Sequence, residues 1–236
     1  MAMLDSFPSG DLAVVIGASG GIGGALLRVL EGSRSFTETV GMGRSTTPAL
    51  DLLDESSIAG CAQWLGRLGR PRLIVVATGL LHRTSVAPEK STRQLDPSVL
   101  AELYAVNAIG PAMVMKHFLP LLPCEGKAVL AVLSARVGSI EDNHLGGWFG
   151  YRASKAAVNQ LVHTAAIELR RRQRQALCVA LHPGTVNTAL SAPFAKTGLE
   201  VQPPCQAAQR ILAVIDRLGP EDSGGFFDHH GKQVPW

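Results

Sequence analysis

Leu12-Ala13-Val14-Val15-Ile16 carries no polar residue and runs directly into Gly17-Ala18-Ser19-Gly20-Gly21-Ile22-Gly23, after which a helical pattern extends from Gly24 to Leu30. A short unbroken apolar run is what a strand buried on both faces requires. Strand, glycine turn and helix in succession form the setting in which backbone N–H groups and a helix N-terminus bind a pyrophosphate. The fixed points are Gly17, Gly21 and Gly23, a GxxxGxG spacing and not GxGxxG. Gly17 permits the tight turn, Gly21 the close approach of a phosphate, and Gly23 close packing of helix on sheet. Gly17, Ser19, Gly20, Gly21, Ile22 and Gly23 are therefore candidate dinucleotide contacts, against the alternative of a merely flexible loop.

Working outward, apolar strand patterns recur with helical patterns between them. Glu38 to Gly43 reads as a second strand, Leu73 to Ala77 as a third, Ala128 to Leu133 as a fourth and Leu177 to Leu181 as a fifth. A short last strand begins near Gly224, after a helix from Pro204 to Leu218. Such alternation predicts an α/β fold: a doubly wound, Rossmann-type parallel sheet in three layers, as a single domain over 1–236. The ligand crevice of that fold lies at the carboxyl ends of the strands. Ala77, Thr78 and Gly79 fall there, as do Pro183, Gly184, Thr185, Val186 and Thr188 after the fifth strand.

The second strand ends Gly43-Arg44-Ser45. A site selective for NAD places a carboxylate at this point, to hold the adenosine ribose 2′-hydroxyl. None is present, and Arg44 and Ser45 can bind a 2′-phosphate. The expected cofactor is thus NADP(H), with NAD(H) as the alternative and a plain surface role for Arg44 as the competing reading. Asp51 and Leu52 follow; Asp51 can accept from an adenine amino group or simply begin the Asp54–Leu65 helix.

Gly150-Tyr151-Arg152-Ala153-Ser154-Lys155 precedes a helix from Ala156 to Arg172, with Ala157, Leu161, Ala165 and Leu169 recurring on one face. Tyr151 and Lys155 are four residues apart, so phenol and ammonium project from the same face. A fixed cation beside a phenol favours phenolate and lowers a pKa that is ordinarily about 10. That is the tuning a general acid–base needs. Leu95-Asp96-Pro97 starts a long helix with Asp96 as N-cap. The helix runs through Asn107 towards His117, and an Asn in mid-helix implies a kink or a bound water.

Composition excludes several classes. Hydrophobic residues make up 46% and charged residues 17%, enough for a sizeable core and against disorder. A net charge of +3 is too small to argue for nucleic acid, and the Arg170-Arg171-Arg172 run complements a helix dipole. Cys61, Cys124, Cys178 and Cys205 form no CxxC pair, so neither disulfide nor metal site is expected. The N-terminus has no signal-peptide layout, and no apolar run reads as a membrane span. The expectation is a cytoplasmic protein acting on a small molecule.

Together, the GxxxGxG turn, Asn107 in a long helix, a serine at a strand end, Tyr151-x-x-x-Lys155 and the Pro183-Gly184-Thr185-Val186 turn resemble the short-chain dehydrogenases/reductases along essentially the whole chain. Gly138-Ser139-Ile140, Asp142-Asn143, Gly146-Gly147 and Tyr151 to Lys155 resemble its C-factor-like (CsgA-type) branch. The resemblance implies that Tyr151 exchanges a proton with a carbonyl or alcohol oxygen. Lys155 would tune it and bond the nicotinamide ribose, Asn107 would hold a water linking Lys155 to solvent, and a serine would bond the substrate oxygen. It also implies a homo-oligomer, dimer or tetramer, through the Leu100–Leu119 and Ala153–Arg172 helices.

Two departures stand out. Val76-Ala77-Thr78-Gly79 occupies the place of the family's Asn-Asn-Ala-Gly, and the catalytic serine slot, three residues before Gly138, holds Ala135. Ser134 presented by a local bulge is the preferred donor, with Ser139 as the alternative and a weakened oxygen contact as the third case. Losing one donor to a reacting oxygen costs about 2.7–4 kcal/mol. Ala135 gives some weight to a non-catalytic dinucleotide sensor on the same fold, while Asn107, Tyr151 and Lys155 favour an enzyme. Within a substrate loop at about 185–204, the Ser191–Pro204 segment reads as a lid and, with Trp148 and Phe149, supplies the apolar contacts to substrate.

Overall fold

The computed structural model describes residues 4–33, 35–83, 87–194 and 201–236. Strands β1 (Leu12–Ile16), β2 (Glu38–Met42), β3 (Pro71–Val76), β4 (Ala128–Leu133) and β5 (Ala176–His182) form one parallel sheet with β8 (Phe226–Asp228). Their order is β2-β1-β3-β4-β5-β8. A separate two-stranded ribbon pairs β6 (Thr185–Val186) with β7 (Val201–Gln202). The chain winds from β1 to β2 on one side and then returns to β3 on the other, so the strand order reverses between β1 and β3. That reversal opens a crevice at the strands' carboxyl ends.

Strand side chains alternate between two cores, because successive residues point to opposite faces. Val14, Ile16, Ile74 and Val76 pack with Ile58, Val114, Phe118, Val158 and Val162 on one face. Ala13, Val15, Leu73 and Val75 pack with Leu26, Leu30, Ile211 and Ile215 on the other. Helices α2 (Glu55–Leu68), α4 (Gly110–Phe118) and α5 (Phe149–Arg172) thus cover the first face, and α1 (Gly21–Glu31) and α6 (Pro204–Arg217) the second. This is the expected three-layer doubly wound architecture.

Side-chain caps mark the helix starts that sequence predicts. Asp54 accepts from Ser56 N–H ahead of α2, and Asp96 accepts from the Ser98 and Val99 N–H groups ahead of α3 (Pro97–Tyr104). The long helix is not continuous α-helix. Between α3 and α4, Ala105–Ile109 forms a π-turn with Asn107 at its centre, and Gly110 N–H reaches back to Ala105 O. The kink implied by a mid-helix Asn is this turn. Helical structure from Pro97 to Leu121 spans 25 residues and passes a length-and-composition test for a membrane span, which corrects the expectation that no run does so. In the fold its apolar residues Val114, Met115 and Phe118 join the core beside α2 and α5.

The apolar stripe chosen on α5 also needs correction. The buried residues are Gly150, Tyr151, Ser154, Lys155, Val158, Asn159, Val162, Ala166 and Leu169, while Leu161 stays 37% exposed. The core face is rotated by about one residue from the Ala157–Leu161–Ala165 stripe, because the sheet selects the face that carries the β-branched valines.

Candidate active site

The glycine turn is built by two steric requirements. Gly17 has φ +88°, a left-handed conformation that disfavours side chains, and a Cβ there would lie 2.9 Å from Ala77 O and from Thr78 Cγ2. A Cβ on Gly23 would lie 2.1 Å from Gly17 O, so only glycine lets α1 start this close to the strand end. Gly21 faces the Thr188 methyl. Helix α1 has Gly20 as N-cap with no side-chain cap and no acidic residue in its first turn. Its leading N–H groups therefore remain available to an anion.

Around this turn the predicted contacts converge. Ala77 N–H bonds Ile16 O at 2.8 Å, which fixes the β3 end against β1, and Thr78 Oγ1 is buried without a hydrogen-bond partner. At the β2 end, a Cβ on Gly43 would lie 3.8 Å from Ser19 Oγ, and Arg44 and Ser45 beyond it are exposed. Asp51 does not cap α2, a role taken by Asp54; its Oδ1 accepts from Leu53 N–H at 3.0 Å. Leu52 packs against Gly110. After β5, Pro183 O accepts from Gln202 Nε2 at 2.6 Å, and Gly184 has φ +79°. The β6–β7 ribbon then holds Thr185 and Val186, and Ser191 Oγ donates to Val186 O. An exposed donor pair at the β2 end, free helix N–H groups and the orphaned Thr78 hydroxyl, all among the described residues, fit a nicotinamide dinucleotide.

Tyr151 lies in the first turn of α5, which begins at Phe149 and not at Ala156. Its ring is buried, with Lys155 Nζ 5.9 Å from the ring centroid. Lys155 Nζ donates to Leu133 O at 2.9 Å, and a Cβ on Gly79 would lie 3.6 Å from that nitrogen. Gly138 touches the Lys155 backbone and Cβ. The ammonium is thus wedged between the ends of β3 and β4. Burial, not pairing, dominates both groups. It pushes the Tyr151 phenol above its ordinary value and lowers Lys155 to about 8. Desolvation, which disfavours both charged forms, outweighs the depression of the phenol expected from its neighbouring cation.

Asn107 is fully buried and pins the β3 exit to α5. Its Oδ1 accepts from Leu80 N–H at 2.8 Å, and its Nδ2 donates to Leu80 O at 2.8 Å and to Ser154 Oγ at 3.0 Å. Ser134 Oγ donates to Asn159 Oδ1 at 2.6 Å. Asn159 lies two helical turns beyond Tyr151, about 12 Å along the axis. No bulge presents Ser134 to the phenol. Ser139 accepts from Asp142 N–H at 3.1 Å and donates to Trp236 O at 3.3 Å, bracing a turn. Ala135, partly exposed at the end of β4, occupies the intervening slot.

The aromatic surroundings of the phenol are only partly legible in sequence. Trp148, expected as an apolar contact, lies edge-on to Tyr151 with centroids 6.2 Å apart, and Phe194, from the expected lid segment, lies edge-on to Trp148 at 5.2 Å; the missed residue is His82, edge-on to Phe194 at 5.2 Å. His82 carries no local signal, since only tertiary packing brings it to Phe194. Asn159 had a signal: it continues the Tyr151, Lys155 stripe at the next i+4 step. Of the expected 185–204 lid, residues 195–200 lie outside the described residues.

Comparison with known proteins places the chain in a family. Residues 33–216 match the enoyl-(acyl carrier protein) reductase family model. C-signal of Myxococcus xanthus is 37% identical over 142 residues, 60% of this chain and 81% of C-signal, as the C-factor-like resemblance predicts. 1-Hydroxy-2-glutathionyl-2-methyl-3-butene dehydrogenase of Rhodococcus sp. (strain AD45) is 31% identical over 82% of this chain and 81% of its own. Among solved structures, NADPH-bound carbonyl reductase from chicken fatty liver superposes with a TM-score of 0.84, at 24% identity, over 98% of this chain and 97% of its own. That likeness speaks to the fold. The sequence matches carry the family, and the chain belongs to the short-chain dehydrogenase/reductase family of oxidoreductases.

Proposed function

We propose that this chain is an NADP(H)-dependent oxidoreductase that moves a hydride reversibly between the nicotinamide and a carbonyl or secondary alcohol, with Tyr151 as acid–base. The observation that carries it is the burial of Tyr151 and Lys155 on one face of α5 at the mouth of the strand-end crevice. The phenol makes no hydrogen bond to the chain among the described residues, so it is free to bond a substrate oxygen. A phenol is protonated at neutral pH, the state that donates to a carbonyl during reduction, and in the oxidative direction the neighbouring Lys155 cation would favour the phenolate.

The nicotinamide supplies the hydride; the protein supplies position and electrostatics. The Gly17–Gly23 turn and the α1 N-terminus would hold the pyrophosphate. Ser19, Arg44 and Ser45 would hold a 2′-phosphate, and Ala77 to Gly79 and Pro183 to Thr188 would flank the remainder. Lys155 keeps two donors beyond its bond to Leu133 O, one for a ribose hydroxyl and one facing the phenol. Both Asn107 amide protons are engaged, so the proposed water link to Lys155 uses its remaining Oδ1 lone pair and the backbone opened by the π-turn. With Ala135 in the serine slot, Tyr151 is the principal donor to the substrate oxygen. Trp148 and Phe194 offer the substrate an apolar, aromatic wall.

A homo-oligomer is part of this proposal. Ile109 in the π-turn and Leu161 and Ile167 on α5 are 54%, 37% and 50% exposed, and a groove of about 420 Å³ runs between Met115, Leu119, Leu161 and Ala165. The four cysteines are free thiols, in keeping with a cytoplasmic protein.

The deciding test is turnover of a panel of aldehydes and ketones with NADPH by wild type and Tyr151→Phe. A loss of 10²–10⁴-fold in kcat with NADPH affinity unchanged supports the assignment; equal turnover overturns it. Ala135 favours one second reading, a dinucleotide sensor. Tight NADPH binding without turnover, together with a partner protein whose affinity follows NADPH, would establish that instead.

A further inference from the structure

Helix α5 lacks the capping its first turn needs. Its N-cap residue, Trp148, sits at φ 54° and ψ 43° and provides no side-chain cap, and the first turn contains no acidic residue. The leading N–H groups of a helix have no partners within it. Here Glu89, from the segment between β3 and α3, accepts from one first-turn N–H, that of Gly150 61 positions later, and from the N–H of the N-cap residue. Glu89 O accepts from Trp148 N–H at 2.5 Å, and Glu89 Oε2 accepts from Gly150 N–H at 3.3 Å.

Glu89 is only 5% exposed, and its Oε1 is buried without a partner. Leaving a buried acceptor unmatched is costly, so this carboxylate is held at the helix end against a penalty. The positive end of a long helix is the environment that best tolerates it. The fit around it is tight. A Cβ on Gly150 would lie 2.9 Å from Glu89 Oε1 and 2.7 Å from Leu103 Cδ1, so any side chain there would have to push aside the ends of these two side chains. The residue after Gly150 is Tyr151.

We propose that Glu89 is a positioning residue: a remote cap that clamps the first turn of α5 and thereby sets the Tyr151 phenol. This rests on the acid–base role proposed for Tyr151. A first turn without partners frays, and a misplacement of about 1 Å at a reacting group costs about 10²-fold in rate.

The test compares Glu89→Ala, Glu89→Gln and Tyr151→Phe with wild type in the full-length protein. Carbonyl-reduction kinetics, NADPH affinity, melting temperature and amide hydrogen exchange across Trp148–Ser154 are measured for each. Glu89→Ala should lower kcat by about 10²-fold while KM for the carbonyl and Kd for NADPH stay within about threefold, and exchange at Gly150 and Tyr151 should quicken by tenfold or more. Glu89→Gln retains an acceptor for Gly150 N–H and should return kcat to within about fivefold of wild type and exchange close to it.

Wild-type kcat and exchange in Glu89→Ala would overturn the proposal. So would equal losses in both variants tracking a lowered melting temperature, which would mark Glu89 as structural only. If Tyr151→Phe turns over normally, or wild type does not turn over, the acid–base role fails separately. Exchange then decides the clamp: quickened in Glu89→Ala and restored in Glu89→Gln supports it, and no change removes it.

Discussion

Lys155 is held in a place that costs the fold stability, and replacing it should show this. Burial lowers its pKa from 10.5 to about 8. A displacement of about two and a half pH units corresponds to about 3 kcal/mol against the charged form at neutral pH. Lys155→Met removes that penalty and keeps an apolar stem of similar length. It also leaves Leu133 O without its 2.9 Å donor, which returns about 1–3 kcal/mol. The desolvation relief is the larger of the two on average, so the variant should be more stable than wild type by about 1 kcal/mol at pH 7 while losing activity. The unfolded chain keeps this proton up to about pH 10.5, whereas the folded chain releases it near 8. Between those values the unfolded state binds more protons, so wild-type stability should rise with pH and the advantage of the variant should shrink. Urea unfolding of both proteins from pH 7 to 10 reads this directly. A variant less stable than wild type at pH 7, or an advantage that does not change with pH, would refute the claim that desolvation of the ammonium dominates this site.

Three further outcomes follow from the same geometry. Ala135→Ser places a hydroxyl in the vacant slot, and kcat for a good carbonyl substrate should rise by 10-fold or more, up to about 10²–10³-fold for a fully aligned donor, with NADPH affinity unchanged; an unchanged kcat in a folded variant would mean the slot does not face the reacting oxygen. Arg44→Ala should weaken NADPH binding by about 10–150-fold, the worth of a charge-assisted hydrogen bond, and leave NADH nearly unaffected; titration of both cofactors checks it, and equal losses would make Arg44 a plain surface residue. Light scattering should give the mass of a dimer or tetramer for wild type and of a smaller species for Leu161→Glu; a monomeric wild type would leave the exposed α4–α5 face without that function.

Much of this molecule is written locally. Leu12–Ile16 must be a buried strand because it has no polar face, and the glycines after it must turn tightly because only glycine satisfies the φ of Gly17 and the contact at Gly23. Asp54 and Asp96 mark helix starts because a cap acts within three residues. The Tyr151–Lys155 pair is legible because helical pitch alone puts the two side chains on one face. Such features depend on neighbours in sequence, so the sequence by itself determined the sheet, the phosphate turn and the chemical pair.

What the tertiary structure decided are the directions and environments that distant residues impose. The sheet, not the pattern of α5, chose Val158, Val162 and Ala166 over Leu161 as the buried stripe. Asn159 took the Ser134 hydroxyl away from the phenol. Burial by surrounding elements raised Tyr151 where its neighbouring cation alone would have lowered it. Glu89, a polar residue in an apparently featureless loop, became the cap of a helix that begins sixty residues later in the chain. Desolvation and long-range hydrogen bonds depend on which surfaces meet, and no spacing within the sequence encodes that meeting.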